Sequence, residues 1–198
     1  MSKANEVEKF VAKKIGWLTS SMPNLEPRQR AALAKLRRGV GCEPGELPEV
    51  WDITLADLPE ELLGSDGEVS QAEQAIHTSL TLFALHQQGK AYSVSLKKVS
   101  FGSAVRKLVQ PDKGNEQTIK RRFDAALTSK DFQEFARHAR SLILIAKAND
   151  ICLDYPKFAK DLYKYQNPDL RTKIMLEWGQ YFWAPIQEDQ NNTEGEQS

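Results

Sequence analysis

Between Gln117 and Ala148 the apolar residues recur at helical spacing, and this period argues for packed helices through the middle of the chain. At about 100° per residue, Ile119, Phe123 and Leu127 share one face, Arg121 points the other way, and Lys120 and Arg122 flank it. In the helix that follows, Phe132, Phe135, Ala136, Ala139, Leu142, Ile143 and Ala146 line one side, Arg137 faces outward, and His138 and Arg140 flank it. Its end, Leu142-Ile143-Leu144-Ile145, is apolar all round, which predicts the central helix of a bundle. Helices that bury one stripe and keep their cations wet offer a surface to a phosphate backbone.

The same period runs elsewhere. Val7, Phe10, Val11, Ile15 and Leu18, with Trp17 beside them, predict a helix over about residues 5–20. Pro27 suits a first helical position, and Gly39 ends a second helix on which Ala32, Leu33 and Leu36 face inward. Arg38 projects from that helix, and Arg28, Arg30, Lys35 and Arg37 ring its sides, which makes a third cationic ridge. Ser70 and Glu73 form a capping box ahead of Ile76, Leu80 and Phe83, and Gly89 closes that helix. Residues 90–100 alternate as Tyr92, Val94 and Leu96, but Lys97 and Lys98 follow, and a basic loop is the preferred reading. A short helix from Phe101 to Gln110 carries Arg106 and Lys107. Further helices are expected through Phe158, Ala159, Leu162 and Tyr163, and from Asn167-Pro168 through Leu170, Ile174, Trp178 and Tyr181. The prediction is an all-α chain of two small helical-bundle domains, residues 1–99 and 100–185, with roughly eight to ten helices and a disordered acidic tail over 186–198.

Net charge is zero, with 27 basic and 27 acidic side chains, so a strongly basic protein that coats nucleic acid without discrimination is excluded. The charge is nevertheless segregated. Residues 1–40 carry 9 basic and 3 acidic groups, residues 41–80 none and 10, residues 81–147 13 and 5, and residues 148–198 5 and 9. Such separation lets a neutral protein bind an anion on one face. The acidic segment is expected to face away from nucleic acid or to meet a basic protein partner.

Catalytic signals are missing. The three histidines are scattered, with His77 and His86 expected in the core or at the surface rather than as ligands, and no pair of histidines sits in a metal-binding spacing. No nucleophile elbow, phosphate-cradling glycine loop or dinucleotide fingerprint occurs. A general acid or base assembled from His138 with Asp124 or Asp131 is the remaining route to an enzyme, and neither cofactor nor metal is predicted. Cys42 and Cys152 lie far apart and read as reduced, incidental thiols. No apolar run spans a membrane and the start lacks a signal-peptide core, so a cytoplasmic protein is expected. The aromatics near the C-terminus fit helical stripes, Tyr165 and Trp183 least well.

Taken in order, Arg30-Ala31-Ala32-Leu33-Ala34-Lys35-Leu36-Arg37-Arg38-Gly39, Ser100-Phe101-Gly102-Ser103-Ala104-Val105, Arg121-Arg122-Phe123-Asp124-Ala125-Ala126-Leu127 and Phe135-Ala136-Arg137-His138-Ala139-Arg140 form an ordered set. Leu153-Asp154-Tyr155-Pro156, Ala159-Lys160-Asp161-Leu162-Tyr163 and Trp178-Gly179-Gln180-Tyr181-Phe182 complete it. In order and spacing the set resembles the CasB-type small subunit of the type I-E CRISPR surveillance complex, Cascade; it departs at Ala139 and in the acidic 41–80 block. The resemblance implies a non-catalytic all-α subunit that sits as two head-to-tail copies among other Cascade subunits. It also implies a basic face that contacts guide RNA and target DNA, the displaced strand included, and stabilises the R-loop. Carried over, the contacts are Arg30, Lys35, Arg37, Arg38, Lys120, Arg121, Arg122, Arg137 and Arg140. Lys97, Lys98, Arg106 and Lys107 join them as further cations of the same region. The alternative expectation is a helical protein-binding adaptor with no nucleic-acid contact.

Overall fold

The computed structural model describes residues 2–184; the tail expected over 186–198 lies outside the described residues. Nine α-helices occur among them: α1 Lys3–Thr19, α2 Pro27–Arg38, α3 Trp51–Thr54, α4 Gln71–Gln87, α5 Phe101–Lys107, α6 Glu116–Leu127, α7 Phe132–Ala148, α8 Tyr155–Tyr165 and α9 Pro168–Trp183. The all-α expectation holds, and the local start signals explain where helices begin. Pro27 occupies the first turn of α2, where its missing N–H removes no hydrogen bond. Ser70 accepts from the Glu73 N–H at 3.0 Å, while the Glu73 carboxylate takes the Ser70 N–H at 2.6 Å. Asp154 and Asn167 cap α8 and α9 in the same manner.

The central helix is α4, not α7. From Ala72 to Gln87 nearly every α4 side chain is buried, and α1, α2, α3, α7 and α8 all pack against it. Helix α7 instead keeps an outward face: Leu142 and Ile143 are buried, but Leu144 remains 42% exposed. The apolar run misled because α4 hides its centrality behind polar residues that bond inward. Thr81 donates to the His77 carbonyl at 2.8 Å and Ser79 to the Tyr155 carbonyl at 3.1 Å, so these hydroxyls are buried without an orphaned group.

Around this axis the second half closes on an aromatic cluster. Phe101, Phe135, Phe158, Tyr165 and Trp178 stack or meet edge to face; Phe135 lies 5.4 Å from Trp178, and Phe123 stacks on Phe182 at 4.8 Å. Burying each such ring contributes about 1.5–3 kcal/mol, with about 0.5–1.5 more per well-oriented pair. Tyr165 belongs to this core, under the Arg171 guanidinium at 4.6 Å. Gly102 lets α5 touch α9: a Cβ there would sit 2.0 Å from the Trp178 carbonyl oxygen. Helices α6 and α7 pair, and the 90–100 stretch is a loop that makes a single parallel bridge, Ser95 with Leu153.

Candidate nucleic-acid interface

Helix α7 carries exposed cations on its outward side, and one from α6 reaches across to it. Arg137 and Arg140 project from it exposed, with no carboxylate partner. From α6, the Arg122 guanidinium reaches across and donates to the Ser141 hydroxyl at 2.5 Å. In the last turn of α7, the Lys147 ammonium donates to the Gln88 side chain at 3.0 Å. Burial first, and then the charges of Arg37 and Lys90, push Lys147 below its ordinary value, which places Arg37 of α2 in its electrostatic neighbourhood. The C-terminal half-charge of α7 offsets part of that repulsion.

The belt continues past the end of α7. Lys90 is tied to Asp150 at 2.5 Å. Burial raises the Cys152 thiol against the downward pull of Lys107 and Lys90, so both cations act on that residue. Lys97 and Lys98 stay exposed on the adjoining loop, where the Lys98 N–H bonds the Asp154 carboxylate at 2.9 Å. Arg121 is exposed on α6 and unpaired.

The remaining candidates divide differently. Arg38 makes a two-pronged pair with Glu49 at 2.7 and 2.5 Å, and Lys35 meets Asp52 at 3.0 Å. Lys120 is held by Asp124 at 2.6 Å. Arg30 donates to the Leu25 carbonyl at 2.5 Å, and Arg106 has its Nε enclosed with no partner. The structure thus splits the cations of α2: the acidic segment after it neutralises Lys35 and Arg38 and leaves Arg37 toward α7. That pairing folds the acidic segment against a basic helix of its own chain. Sequence reasoning missed Lys147 and Lys90. Their positions at helix ends, beside an apolar run and a glycine, carried no signal of convergence.

Among the described residues no group of three or more His, Cys, Asp or Glu side chains could hold a metal ion. His138 bonds neither Asp124 nor Asp131. His77 and His86 are core residues: His77 Nε2 lies 3.1 Å from the Gly39 carbonyl, and His86 Nδ1 3.0 Å from the Tyr155 hydroxyl. Burial is the main cause that lowers His77 and takes His86 down to about 4. No described helix is long and apolar enough to cross a membrane.

Comparison with known proteins follows the same direction. The crystal structure of CasB from Thermobifida fusca is similar with a TM-score of 0.72 and 28% identity, over 90% of this chain and 98% of that one. A CRISPR RNA-guided surveillance complex chain matches with a TM-score of 0.66 and 18% identity, over 90% and 92% of the two chains. CasB of M. ruber matches with 0.64 and 19%, over 88% and 92%; at these lower identities the likeness is one of fold. The search of curated proteins finds no match. The family described as CRISPR-associated protein Cse2 matches residues 32–183, which is most of the chain. With that span matched and the CasB fold in place, the chain belongs to the CRISPR-associated Cse2 family.

Proposed function

We propose that this chain is a non-catalytic, cytoplasmic subunit of an RNA-guided CRISPR interference complex of the Cascade type. It binds nucleic acid without sequence preference and stabilises the R-loop and its displaced strand. One observation carries the reading: Arg137 and Arg140 stand exposed on α7 with no carboxylate partner, and the Arg122 guanidinium of α6 reaches the Ser141 hydroxyl of α7. Cations without a base-reading motif follow the phosphate backbone, and guide pairing elsewhere supplies specificity. The partners in this reading are other Cascade subunits, guide RNA, target DNA and a second copy placed head to tail. The division at residues 99 and 100 is part of the proposal, with α8 packing on α1 and α4 as well as on α9.

A protein-binding adaptor is the second reading, favoured by Leu176 and Trp183, which are 60% and 61% exposed on one side of α9. Fluorescence anisotropy with single-stranded DNAs of unrelated sequence separates the two. The nucleic-acid reading expects similar affinities for all of them and a linear loss of log affinity with log salt. No retention of any strand at low salt favours the adaptor, and chelator-sensitive cleavage of the DNA contradicts both.

A further inference from the structure

Of the large exposed side chains, Tyr92 stands beside Lys90, the two sharing the Asp150 carboxylate. It is 45% exposed, and no other ring of the described chain contacts it. Its hydroxyl donates to Asp150 Oδ1 at 2.7 Å, and the same oxygen accepts from Lys90. The backbone around it is held as firmly. The buried Gln87 side chain donates to the Tyr92 carbonyl at 2.7 Å and accepts from the Val94 N–H at 3.0 Å. Leu153 N–H then bonds the Val94 carbonyl at 3.1 Å. The phenol is thus tethered at its tip and at its root while much of its surface remains in water.

The loop that carries Tyr92 also carries Lys97 and Lys98, both exposed. Lys107 is exposed on α5 as well. Hydrogen bonds from Lys90 and then Tyr92 hold the Asp150 carboxyl below the usual range, and the same pairing offsets the Lys90 charge. The other exposed aromatics have different settings. Trp51 is tied to the Pro44 carbonyl in the acidic segment, and Tyr181 and Trp183 lie on α9.

We propose that Tyr92 is a stacking platform for an unpaired base of a bound single strand. The assignment rests on the nucleic-acid reading above. Stacking on an aromatic is sequence-tolerant because every base has a π face, and a ring already fixed in place loses little freedom when a base arrives. A duplex, with its bases paired and stacked, cannot use the ring.

The test compares full-length parent, Tyr92→Ala and Tyr92→Phe by anisotropy on a labelled oligothymidine and on an abasic strand of equal length and charge. Tyr92→Ala is expected to lose about fivefold or more in affinity for oligothymidine, Tyr92→Phe to keep most of it, and all three to bind the abasic strand alike. Equal affinities of parent and Tyr92→Ala for oligothymidine overturn stacking and leave the basic face standing. Equal losses on both strands also overturn it, because the ring would then be acting through structure or charge. Failure of the parent to bind either strand removes the nucleic-acid reading itself, and stacking with it.

Discussion

The two flanks of α2 carry cations of the same kind and meet opposite fates. On one, Lys35 and Arg38 are answered by Asp52 and Glu49, carboxylates 17 and 11 residues further along the chain. On the other, Arg37 meets no carboxylate, and its charge acts on Lys147 of α7. The difference teaches that the number of basic residues on a helix does not set its field. What decides it is which flank the acidic segment folds against. Exposed ion pairs of this type add little to stability, but they remove a cation from the surface that an anion sees. An overall neutral chain can leave one flank of a helix positive in this way, by pairing its acidic groups on the other.

The largest effect expected in this molecule lies beneath the flanks and fixes the conditions for comparing them. His86 is neutral in the fold and about 4 there, against about 6.5 in an unfolded chain. The unfolded state therefore binds more protons between these values, and stability falls as pH drops from about 6.5 toward about 4, by roughly 3 kcal/mol. His77, also lowered by burial, works in the same direction. Denaturant titrations at pH 7 and pH 4.5 check this. The parent loses stability, and His86→Gln loses less; equal stability of the parent at the two values contradicts the assignment. Binding comparisons belong above pH 6.5.

A smaller effect sharpens the free side. Arg122→Ala removes a cation that already leans over α7 through Ser141. The slope of log affinity against log salt on single-stranded DNA is expected to flatten by up to about 0.7. The smallest effect probes the neutralised side. Glu49→Gln releases Arg38, and the slope is expected to steepen slightly, by less than the Arg122 change; a loss of affinity would show that Glu49 does more than mask its partner.

How far all this could be read from sequence depends on the range of the interaction. Helix starts were legible because Pro27, the Ser70–Glu73 box and Asn167-Pro168 act within four residues. The outward positions of Arg121 and Arg137 followed from period alone. The central helix was not legible: the polar residues of α4 look solvated until their inward bonds are known. Pairing of Lys35 and Arg38 was hidden because loop closure, not helical spacing, brings their carboxylates near. Tyr165 made little sense on a stripe, and it is explained by Arg171 and Trp178 packing on it from α9. Tyr92 lay in a stretch read only as a basic loop, because its anchor Asp150 is 58 residues away.

The most direct measurement sets the two flanks against each other on the same single-stranded DNA at pH 7.5. The triple variant Arg37→Ala, Arg137→Ala, Arg140→Ala is expected to flatten the salt slope by about 2, whereas Lys35→Ala with Arg38→Ala changes it by much less than one contact. Equal changes per cation removed on the two sides, or no change in either variant, would contradict the convergence of unpaired charge on α7.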